Sequence, residues 1–340
     1  MKKSNRIEFI DLAKGFCILL VVWGHSLGPL GPIDTRFVCG TSLFRMPLYF
    51  FLSGLFFKTY EGFGGFAKRK VNKLLIPFLF WHVLFVCSVP FVSRTETFGA
   101  HLFWDFIFPQ GETHNTALWF LYCLFFLNIL FFGAVKLAHL FSQNQRTQGL
   151  VLAAVAALCG TLGFLCSRQN IHLFLKFETL LTAFPYFYFG YFAGQHKEYL
   201  LPDAKTDRWL PLLSIVFLAI PYSLVTGKAL FVYNDYHNLS AFAFYVGGIM
   251  GVLGILALAK MIKNLPVISY LGRYSILILV THVPLVWYLT FYLMRFGWAW
   301  WITSLLGTVI VLLSYLVIIP LFKRFLPCVT AQKDVIPILS

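Results

Sequence analysis

Arg6-Ile-Glu-Phe-Ile-Asp-Leu-Ala-Lys-Gly-Phe-Cys-Ile-Leu-Leu-Val-Val-Trp-Gly-His25 is the stretch on which the reading of this chain turns. It starts basic, carries Asp11 and Lys14 at the foot of an apolar run, and reaches His25 after ten residues without a charge. A membrane span normally excludes titratable groups, because an unpaired one in hydrocarbon is costly, so an ionisable residue inside a span is a functional candidate. At ~1.5 Å per residue, His25 lies about 24 Å up the helix from Phe9, in the outer part of a layer roughly 30 Å thick. Histidine both takes and gives a proton near neutrality. A proton handler set deep in lipid is what the remaining sequence has to explain.

The bulk numbers agree with a membrane setting. Hydrophobic residues make up 59% of the 340, aromatics 19% and charged residues only 12%, against about a quarter charged in soluble domains. The formal charge of +14 does not indicate nucleic acid, since the cations sit in short segments between apolar runs and form no basic face. Seven cysteines lie mostly within apolar runs without Cys-x-x-Cys spacing, which supports neither a disulfide framework nor a zinc site. The N-terminus has the basic preface of a signal peptide, but Asp11 and Lys14 interrupt it and no small-x-small site follows, so it reads as an uncleaved first span.

Hydropathy predicts an all-α integral membrane protein, a bundle of about ten transmembrane helices in one domain over residues 1–340. The spans are expected at about 9–30, 37–57, 74–92, 117–135, 149–166, 177–193, 209–226, 239–259, 274–294 and 299–322, the second being interrupted by Arg45 and Pro47. With both termini cytoplasmic, 20 of the 27 basic residues fall on the inner side and 7 on the outer, as the positive-inside bias requires. Gly190 and Gly194, and Gly247 and Gly251, have the four-residue spacing that lets helices approach closely.

Within this frame several groups can carry chemistry. Arg45 cannot shed its charge, and inside a span it must find a carboxylate, phosphate, water or carbonyls; its depth matches that of His25 on the next, antiparallel helix. Lys68, Arg69, Lys70 and Lys73 place four cations in six residues of an inner segment, suited either to fixing topology or to clamping phosphates. The outer loop 93–116 holds His101, Asp105, Glu112 and His114, and is followed by Trp119, a mixture that suits a carbohydrate; His101 and His114 lack metal-ligand spacing. His282 sits mid-span and can line the same cavity as His25, whereas Glu178 and His82 read as helix glue.

These residues resemble the membrane acyltransferase-3 family of integral membrane O-acyltransferases, and within it a fucose-4-O-acetylase-like or exopolysaccharide-acetylase-like branch. Lys14 and His25 match a basic residue, ten residues, then His. Met46 to Gly54 match a Met-Pro-Leu-Phe-Phe-Phe-x-Ser-Gly pattern with Tyr49 for a Phe. Lys70 and Lys73 stand where Arg-x-x-Arg is more usual, giving point charges in place of forks. Trp119-Phe-Leu, and Leu271, Gly272 and Ser275 with the following His282, complete the series.

The resemblance implies transfer of an acyl group, typically acetyl, from cytoplasmic acyl-CoA to a sugar hydroxyl of an envelope glycan or glycolipid. The bacterial inner membrane is the expected location. No bound cofactor is implied; acyl-CoA is the donor substrate. His25, Arg45 and Asp11 are the expected catalytic residues, and Lys14, Arg69, Lys70, Lys73, Trp119 and His282 the expected substrate-binding ones. His25 acts either as general base or as acyl carrier. A multi-pass transporter or flippase, a structural partner in a polysaccharide machine, and a succinyl-transferring relative are the alternatives. An inverted repeat, the mark of many transporters, is not discernible.

Overall fold

The computed structural model describes residues 8–31, 35–60, 62–92, 116–196, 207–226 and 239–337. All regular elements among them are helical: α1 (Glu8–Ser26), α2 (Arg36–Leu55), α3 (Phe63–Lys70), a π-turn (Val71–Leu75), α4 (Ile76–Val92), α5 (Trp119–Phe141), α6 (Gln145–Arg168), α7 (Phe177–Gln195), α8 (Leu210–Leu224), α9 (Ala241–Ile262), α10 (Pro266–Arg273), α11 (Ser275–Met294) and α12 (Trp300–Phe325).

Eight helical runs among the described residues are long and apolar enough to cross a membrane. The other two expected spans are helical but fall short on different grounds. α7 has 19 residues, yet Glu178 and three tyrosines keep it too polar. α8 has 15 residues, about 22 Å, against a layer of roughly 30 Å. The second span is an unbroken helix in spite of Arg45 and Pro47. Large apolar side chains stay on the outside of the bundle, among them Leu150 and Leu158 on α6, Ile215 on α8 and Val317 on α12. A soluble fold does not leave so many uncovered, and lipid is the solvent that suits them.

α1 runs through the interior. Leu12, Ala13, Ile18 and Val22 are fully buried, and the helix touches α2, α9, α10, α11 and α12. Small residues set the closest approaches. A side chain on Gly54 of α2 would strike the Phe187 carbonyl of α7, and one on Gly190 of α7 would strike the Phe51 carbonyl of α2. The expected role of Gly190 is therefore met by backbone-to-backbone packing, and Gly251 lies equally close to the Phe44 ring. An aromatic cluster packs just past the end of α2, where Phe131 of α5 lies 4.7 Å from Phe187 and 5.0 Å from Phe57, ring centre to ring centre.

The basic run departs from the sequence expectation. It is not a loop leading into a span at residue 74, because Phe63–Val92 is one helical run interrupted only by the π-turn at Val71–Leu75. Four cations lower the local hydropathy enough to hide a helix start. The outer-loop residues His101, Asp105, Glu112 and His114 lie outside the described residues.

Candidate active site

The first level of the site is built from three helices. Gly24 and His25 lie on the last turn of α1, Arg45 on α2 and His282 on α11. The rings of His25 and His282 meet edge to face with centres 5.0 Å apart. Arg45 reaches them because Gly24 has no side chain: Nη1 of Arg45 occupies the place a Cβ on Gly24 would take. The guanidinium of Arg45 and the imidazole of His282 thus both border the last turn of α1. The thiol of Cys17 donates to the Arg45 carbonyl and fixes α1 against α2 just below.

His282 is fully buried and its protonation pattern is set by its neighbours. Nδ1 lies 2.9 Å from the Ile278 carbonyl and 3.0 Å from that of Leu279, both pure acceptors, so Nδ1 carries the proton and donates. Nε2 of the neutral ring is then a lone pair. Among the described residues it has no hydrogen-bond partner, and neither has Nη1 of Arg45 or Nε1 of Trp287, five residues further along α11. A buried polar atom without a partner is costly in an ordinary core. Donors of Arg45 and Trp287 and an acceptor of His282 together suit a polar substrate.

One helical turn nearer the start of α1 lies a cleft of about 320 Å³. Tyr49 is four residues after Arg45, and Leu279 three before His282, so the cleft's upper edge adjoins the histidine pair. Lys14, Lys70, Lys73 and Arg273 line it, and no carboxylate does among the described residues. Tyr49 donates to the Lys14 carbonyl at 3.2 Å and is hydrogen-bonded by Ser275. The cations come from three segments spread over 259 residues of sequence, from Lys14 to Arg273, and α10 brings Arg273 in. Gly272 of α10 sits against the Asp11 carbonyl of α1, and Gly15 against the Ile268 carbonyl, so the two backbones touch. Larger cavities of about 900 and 620 Å³ flank α6 and α7 and contain none of these groups.

The structure separates other residues that the sequence grouped with His25. Asp11 lies 14 residues from it, about 21 Å along α1, and pairs with Arg273 Nε at 3.7 Å. In that place Asp11 braces a cleft cation. Arg69 turns away from the cleft and stacks over the Tyr60 ring at 4.5 Å. Trp119, at the start of the expected span 117–135, is buried beside Phe50 and Phe120, and its neighbours Phe120 and Leu121 line the cleft in its place. Lys14, Lys70 and Lys73 do converge. Glu178 accepts the Leu173 N–H at 3.0 Å at the start of α7, in keeping with helix glue. Gly24, Tyr49, Arg273 and Ser275 were not expected at the site; the one local signal was Gly24, a residue without a side chain next to the key histidine.

The arrangement is that of a helical membrane protein with a reactive polar cluster in the bilayer and a cationic cleft beside it. Residues 7–319 match the Acyl_transf_3 family, described as an acyltransferase domain, and the chain belongs to that family. It is an acyltransferase with membrane-spanning helices. No curated protein and no solved structure matches it.

Proposed function

We propose that the chain moves an acetyl group from cytoplasmic acetyl-CoA to a sugar hydroxyl of an envelope glycan at the bacterial inner membrane. The observation that carries this reading is the stacking of two levels: a cleft lined by four cations, and directly above it His25, Arg45 and His282. With the N-terminus inside, the cleft faces the compartment that holds acyl-CoA, and its cations suit the donor's phosphates. Lys14 and His25 are 11 residues apart, about 16 Å, the gap that the donor's extended arm spans to bring its thioester to the cluster.

In the step proposed, the sugar oxygen attacks the thioester carbonyl, the C–S bond breaks, and the hydroxyl proton passes through His25 to the departing thiolate. Arg45 Nη1 stabilises the oxyanion as it forms. His282 Nε2 accepts a hydrogen bond from a second hydroxyl of the sugar and so orients it, and Trp287 Nε1 is a further donor for the acceptor. If His25 instead takes the acyl group itself, the same contacts serve a two-step route.

Membranes containing the protein, given labelled acetyl-CoA and envelope glycan, are expected to label the glycan, and membranes with His25→Ala are not. A correctly inserted His25→Ala protein with full activity would remove His25 from the reaction. Label from succinyl-CoA but not acetyl-CoA would reassign the donor. Transport of glycan without label from any acyl-CoA would refute the proposal.

A further inference from the structure

The segment after α12 folds back over the mouth of the cleft, and its hold is specific. Asn72, 1% exposed in the π-turn, accepts the N–H groups of Val335 and Ile336 at 3.0 and 2.8 Å and donates to the Ile336 carbonyl at 2.8 Å. Both ends of the amide are used, as a neighbouring strand would use them. Trp81 Nε1 donates to the Val329 carbonyl at 3.1 Å. Ala331 and Gln332 then form part of the cleft wall.

This segment also delivers a carboxylate. Lys73 Nζ lies 2.9 Å from Asp334 Oδ1 and 3.0 Å from the Ala331 carbonyl. Two of the four cleft cations are therefore already paired with carboxylates of the chain itself, Lys73 with Asp334 and Arg273 with Asp11. We propose that Asp334 sets the affinity of the cleft for its anionic ligand, as an internal counter-ion that an incoming phosphate displaces from Lys73.

The inference rests on the cleft being the acyl-CoA site. Its physical basis is a difference in strength between two holds. The Lys73–Asp334 pair is 44% and 37% exposed, and ion pairs in contact with water are weak. A phosphate brings more negative charge and three acceptor oxygens to the same ammonium. Asn72 and Trp81 meanwhile keep the segment docked, so displacement needs only a side-chain rotation of Asp334. The remaining contact from Ala331 holds Lys73 in place for the exchange.

The dissociation constant of coenzyme A, measured by calorimetry on the purified full-length protein in detergent, tests this. Asp334→Asn keeps the shape and removes the charge, and is expected to tighten binding about 3- to 5-fold, the scale of an exposed ion pair. Damage to the fold would weaken binding, so the sign separates the two. In a Lys73→Gln background the same substitution is expected to have no effect. The proposal is overturned if Asp334→Asn leaves binding unchanged or weaker while Lys73→Gln weakens it, an outcome that leaves the cleft reading standing. Tightening that persists in Lys73→Gln overturns it too, by locating the effect elsewhere. If neither Lys70→Gln nor Lys73→Gln changes coenzyme A binding, the cleft reading itself fails and the counter-ion role with it.

Discussion

Adding one methyl group at Gly24 puts a carbon where Nη1 of Arg45 now lies. The obstacle is the free end of a flexible side chain, which swings aside at little cost to the fold. Gly24→Ala is therefore expected to lower acyl transfer about 10²-fold, as loss of one oxyanion donor does. The thermal midpoint should move by less than about 2 °C; full activity with a normal midpoint would dismiss Arg45. His282→Asn probes the acceptor in a different way. The amide can still donate near the Nδ1 position but has nothing in place of Nε2, so a fall in transfer of about 10²-fold is expected with insertion and yield retained. At this scale His25, Arg45 and His282 were legible, because a polar group in an apolar run stands out. The pairing of Asp11 was not legible, because a carboxylate at a helix foot looks the same whether it serves chemistry or braces a cation, and its partner Arg273 is 262 residues away. Asn72 gave no signal at all, since its partners lie beyond the last span.

The α2–α7 contact shows what holds the helices themselves. Gly54 and Gly190 place each helix against the other's carbonyls, and nothing there can rotate out of the way. Gly190→Leu is expected to cost about 3 kcal/mol or more through overpacking, seen as a lower melting temperature and yield in detergent. Gly133 of α5 has open space around it, so Gly133→Leu should be neutral or slightly stabilising through better helix propensity. Equal effects at both positions would dismiss the close-packing argument. Hydropathy located the helices well where Leu, Val and Phe dominate, as in α12. It failed at α3, where the cations concealed a helix already under way. Helix pairing was legible only through glycine spacing, because lipid-facing and protein-facing residues are equally apolar.

For the whole molecule, the asymmetry of charge fixes a direction that can be measured. A protease site inserted after Gln143, in the turn between α5 and α6, is expected to be cut only in opened cells. One inserted after Asn170, just past α6, should be cut in intact cells. The reverse pattern would put the cationic cleft away from acyl-CoA and remove the donor proposed for it. The central place of α1 has one more consequence, for the order of assembly. A ribosome makes α1 before any of its partners, yet four of the five helices it touches lie beyond residue 240, and Ser26 meets Thr308 at a separation of 282 residues. Until α9 to α12 have entered the bilayer, α1 holds Asp11 and His25 in lipid without their eventual neighbours. Maturation is thus postponed to the end of synthesis: a nascent chain stopped before Ala241 would be inserted but open at its centre, exposed to quality control for the whole interval.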